Sequence, residues 1–99
     1  MDIKLIVNEL QNIKSICNSS ETLVEAMHKT NLLILSENGY SILSTEFSNY
    51  LKDKYSEEIS LVTLHSMLPS AVEILGTHIE AMYKIDDFSD AYCYKIFLP

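Results

Sequence analysis

The hydrophobic period of this chain changes once, and the change divides it into a helical part and a strand part. Ile3, Ile6, Leu10, Ile13 and Cys17 recur at helical spacing and form one face of an α-helix. From Ile79 onward the period is that of a strand. Ile79, Ala81, Tyr83 and Ile85 alternate with Glu80, Met82 and Lys84, and Tyr92, Tyr94, Ile96 and Leu98 alternate with Cys93, Lys95 and Phe97. Both runs are rich in aromatic and β-branched residues, which suit a pleated, half-buried surface. A helical pattern does not settle as a strand, nor the reverse. The expected class is therefore α+β: a small helical domain of four to five helices with a C-terminal antiparallel β-hairpin.

Only two glycines and two prolines interrupt 99 residues, so long elements within one domain, residues 1–99, are expected. In the first helix Lys4, Asn8, Glu9, Asn12 and Ser15 read as the solvent face. Asn18-Ser19-Ser20 reads as a stop and a new N-cap, with Glu21 at the positive end of a second helix whose inner face carries Leu23 and Met27. Residues 31–43 admit two readings. Leu32-Leu33-Ile34-Leu35 finishes the second helix with Gly39 past its end, the favoured reading, or Leu32–Ser36 and Tyr40–Leu43 are strands about Asn38-Gly39. Ser44 or Thr45 caps a third helix to Tyr55 with Phe47, Tyr50 and Leu51 inward. Ile59 to Leu75 is the most apolar stretch, where Leu61, Leu64 and Leu68 share a face with Ile74 and Leu75. Pro69 predicts a break or kink at Leu68, with Pro69 then opening a short helix that ends at Gly76.

Charge decides which partners suit the surface. The chain has 14 carboxylates against seven cations, all of them lysine, and a net charge of −7. Arginine grips phosphate through a planar, bidentate fork, and none is present. The balance points to a basic protein partner and away from nucleic acid and anionic membranes. No stretch approaches the roughly 18 apolar residues of a membrane span. The opening Met-Asp-Ile-Lys-Leu-Ile-Val lacks the features of a secretory signal, so a cytoplasmic protein is expected. Cys17 and Cys93 are then free thiols, Cys17 a small core hydrophobe and Cys93 a mid-strand residue.

Catalytic and metal motifs are missing from the sequence, and no enzyme, cofactor or metal site is expected. His28, His65, His78 and the two cysteines have no metal-ligand spacing among them. No serine lies in a nucleophile elbow, and two glycines 37 residues apart make no phosphate-binding loop. Of the acidic clusters, Glu57-Glu58 and Asp86-Asp87-Phe88-Ser89-Asp90 both fall in expected turns, where carboxylates are solvated.

From about residue 40 to residue 98 the order of elements resembles a winged helix, with the hairpin as the wing. The resemblance is one of topology. It implies that the helix before the hairpin would read DNA, yet Ile59–Gly76 contains no lysine, and the expected wing sets Lys84 and Lys95 against Glu80, Asp86, Asp87 and Asp90. Such a surface neutralises almost no phosphates, so a winged-helix fold here would be turned to protein contacts.

These readings converge on a non-catalytic inhibitor of a basic protein, of the size and charge of immunity proteins, antitoxins and phage-encoded inhibitors. The expected contact residues are Glu57, Glu58, Tyr83, Asp86, Asp87, Phe88 and Asp90, an acidic set with aromatic anchors. The alternatives are a winged-helix-like transcriptional regulator or adaptor and a dimeric secretion or assembly chaperone. A homodimer is compatible with both.

Overall fold

A computed structural model describes residues 2–85 and 92–99. In chain order the elements are α1 (Ile3–Ser19), α2 (Leu23–Thr30), β1 (Ile34–Leu35), β2 (Ser41–Leu43), α3 (Ser44–Tyr55), α4 (Leu61–Leu75), β3 (Ile79–Lys84) and β4 (Tyr92–Phe97). The fold is α+β, with four helices and one antiparallel sheet in the order β1-β2-β4-β3.

Each helix start has a local cause. The Asp2 carboxylate accepts the Leu5 N–H at 3.0 Å and caps α1. Thr22 caps α2 through the Glu25 N–H, and Ser60 caps α4 through the Thr63 N–H, each at 3.1 Å. The second cap corrects the sequence reading: α2 begins after Thr22, and Glu21 stands outside it, giving its N–H to the Glu25 carboxylate. Leu43 precedes α3 without a side-chain cap, so neither Ser44 nor Thr45 caps that helix. Asn31, Ser56 and Gly76 close α2, α3 and α4 in the left-handed conformation.

Two further expectations fail. Residues 31–43 are not the end of a helix. Asn31 stops α2 at φ 56°, and Ile34–Leu35 pairs with Ser41–Leu43 around Asn38 (φ 54°) and Gly39 (φ 93°). Positive φ at two consecutive residues is the requirement of a tight hairpin turn, which Asn-Gly meets at low cost. Nor does Pro69 break α4, which runs through it from Leu61 to Leu75. Leu64 and Leu68 before the proline and Ala71 and Val72 after it are all buried, so core packing holds both halves in one helix.

The core lies between α1, α3, α4 and one face of the sheet. Four isoleucines form a row across all the strands: Ile34 opposes Ile42, Ile42 opposes Ile96, and Ile96 opposes Ile79. The first three are buried and join Ile6, Leu10, Ile13, Phe47, Leu51, Leu64 and Leu68. Each such side chain withdrawn from water contributes about 1.5–3 kcal/mol. Cys17 belongs to this core, and both cysteines are buried and free. Ile74 does not share the inner face as expected and is 64% exposed. No helix among the described residues is long and apolar enough to cross a membrane.

Candidate interaction surface

The sheet order leaves β3 at an edge, paired only with β4. Ile79 is half-buried, and every residue from Glu80 to Ile85 is exposed. Met82, Tyr83 and Ile85 are among the large apolar side chains that face water, at 44%, 53% and 39% exposure. The Phe97 N–H bonds the His78 carbonyl at 3.0 Å. Antiparallel pairs alternate, so the backbone groups of Ile79 and Ala81 aim away from β4, at the open edge. The register then shifts: Ala81 opposes Tyr94 and Tyr83 opposes Cys93, leaving Met82 as an extra residue. A bulge bends an edge strand and spoils it as a template for another strand. The surface that β3 offers is therefore made of side chains.

Tyr83 is held in place from below. Its side chain is hydrogen-bonded to that of Cys93 across the strand pair, which raises the phenol above its ordinary value. Burial pushes the Cys93 thiol up, but hydrogen bonds with Thr45, Tyr83 and Ser44 outweigh it and hold the thiol below the ordinary range. Cys93 is fully buried, so this polarisation gives no accessible nucleophile.

Glu57 and Glu58 are exposed between α3 and α4. Glu58 lies 3.5 Å from Lys52, both side chains well solvated, and the pair adds little to stability. The structure thus places these acids and Tyr83 on separate elements. Asp86, Asp87, Phe88 and Asp90 lie outside the described residues.

Two polar clusters that spacing alone did not reveal lock the elements behind this surface. At the junction of β2 and α3, the buried Ser44 hydroxyl accepts the Tyr94 N–H at 3.0 Å and meets His65 Nε2 at 2.9 Å. Ser44 stands where the β2–β4 ladder would continue, and its side chain replaces the carbonyl that the turn into α3 removes. Burial lowers the His65 pKa, so the ring is neutral near pH 7. A serine beside a histidine invites comparison with a hydrolase. Ser44 is inaccessible and already hydrogen-bonded to the backbone, so no substrate carbonyl reaches it.

The second cluster centres on Glu9, which the helical pattern placed on the solvent face and which is only 2% exposed. Its carboxylate accepts from Tyr50 at 2.6 Å, from Tyr55, and from Lys54 Nζ at 2.9 Å to each oxygen. Burial raises the pKa, but these three partners outweigh it and hold Glu9 below the ordinary carboxylate range. The signal was in the sequence: Glu9 sits three residues after Ile6 and four before Ile13, on the apolar stripe itself.

Among the described residues no group of His, Cys, Asp and Glu is placed to hold a metal ion. Comparison with protein-family models, with curated proteins and with solved structures finds no match to this chain.

Proposed function

We propose that this chain is a non-catalytic protein-binding module that neutralises a basic partner, an inhibitor of the immunity-protein, antitoxin or phage-inhibitor kind. The observation that carries the reading is the exposed apolar set of Met82 and Tyr83 on the bulged edge strand β3 and Ile85 just past its end. Stiff aromatic anchors beside acids suit a protein interface. A net charge of −7 steers a cationic protein toward it. Asp86, Asp87 and Asp90 follow β3 in sequence and carry negative charge.

The order β2-β4-β3, with α3 and α4 between β2 and β3, favours a winged-helix-like reading of the fold. The exposed positions of α4 include Val62, Thr63, Ser66, Ser70, Glu73 and Ile74, with no cation among them. They suit a protein face better than a phosphate backbone.

Capture from a lysate of the source organism, eluted by a salt gradient, is expected to recover one basic protein. Association should then slow and lose salt dependence with Asp86→Asn, Asp87→Asn and Asp90→Asn combined, and dissociation should quicken with Tyr83→Ala. Recovery of nucleic acid, or binding unchanged by both variants, overturns the proposal.

A further inference from the structure

A cavity of about 520 Å³ lies between the end of α2 and one face of α3. That volume is in the range of about 300–1,000 Å³ typical of ligand sites. Glu46, Asn49 and Asp53 line it at helical spacing from α3, with Tyr50 on the same face. Lys29 and Lys54 also line it, and each is already paired with a carboxylate outside the lining. Lys29 Nζ pairs with Glu25 at 3.0 Å, and Lys54 is bound by both oxygens of Glu9. Asp53 has no ion pair or hydrogen bond among the described residues, and Glu46 accepts only the Leu33 N–H, at 3.3 Å. Thr30 and Asn31 bring the C-terminal end of α2 to the wall, the negative end of its dipole. Two uncompensated carboxylates, a helix C-terminus, an amide and an aromatic ring all favour positive charge.

We propose that this cavity binds a side-chain-sized organic cation, a guanidinium or alkylammonium group, supplied by an exposed arginine or lysine of the basic partner. The chemistry of the cavity stands on its own, and only the source of the cation rests on the proposed function. The group enters with its charge toward Asp53 and Glu46 and its stem along Tyr50.

The test is an NMR titration of the full chain with Nα-acetyl-arginine amide, its neutral citrulline counterpart, and spermidine. Saturable shifts confined to Asn31, Asn49, Tyr50 and Asp53 are expected with the arginine amide and not with citrulline. Asp53→Asn should weaken binding about tenfold, because it removes a charge-assisted hydrogen bond. Glu37→Gln removes one charge from an exposed turn away from the cavity and should leave binding unaltered. No saturation, equal binding of citrulline, or equal loss with Glu37→Gln overturns the site. Tighter binding of spermidine than of the arginine amide overturns the partner side chain as the source. A chain that ignores the arginine amide but holds a captured basic protein rejects the cavity alone and leaves the proposed function standing.

Discussion

Glu9 shows how one side chain joins two helices that hydrophobic packing alone would leave free to slide. A carboxylate almost without water is tolerated because two phenols and an ammonium satisfy its oxygens. Glu9→Ala strands all three donors. It should cost about 3 kcal/mol, near the low end for a broken buried pair because Lys54 still reaches water. A urea midpoint at pH 7 equal to that of the parent chain would refute this. The sign of the pH dependence follows from the lowered pKa. Glu9's contribution is complete above its unfolded value and is lost as pH falls through the folded one. The parent chain should therefore lose stability below about pH 4.5, and Glu9→Gln should flatten that acid limb. Spacing placed Ile6, Leu10, Ile13 and Cys17 correctly. The same spacing sets Glu9 on that stripe, but its charge reads as solvent-facing until its partners, 41 to 46 residues away, are seen.

At the scale of elements, α1 and α3 were legible because their apolar residues keep the helical period over 17 and 12 residues. The β1–β2 hairpin was less so. A run of four apolar residues suits a helix or a strand equally, and only the positive φ at Asn38 and Gly39 separates them. Alternation in β3 was read correctly as a strand but said nothing of its place at the edge, where both faces meet water. In α4 the proline rule was outvoted by tertiary packing. Pro69 leaves the His65 carbonyl without its usual helical donor. Pro69→Ala restores that bond while giving back some unfolded-state freedom, so a gain of about 1–2 kcal/mol is expected. A thermal midpoint that falls in this variant would refute this.

For the whole molecule, the excess of carboxylates acts on stability as well as on partner choice. A net charge of −7 on 99 residues repels itself in the compact state. Sodium chloride at about 0.5 M shortens the screening length to a few ångströms and should raise the thermal midpoint relative to low-salt buffer. A midpoint that falls with salt would mean that pairs such as Lys54–Glu9 outweigh the net repulsion. The sheet order has a consequence of another kind, in the timing of folding at the ribosome. Residues 92–97 form one of the two inner strands, and β3 has no neighbour but them. Strand β2, its ladder with β4 and the Tyr94–Ser44 bond all wait for the same segment. As the chain emerges, α1 to α4 can assemble around Leu10, Phe47 and Leu64, but the sheet stays open. The long-range pairings that close it form only after residues 92–97 have been made. Nascent chains halted before residue 92 would then carry unpaired strand edges into the cell.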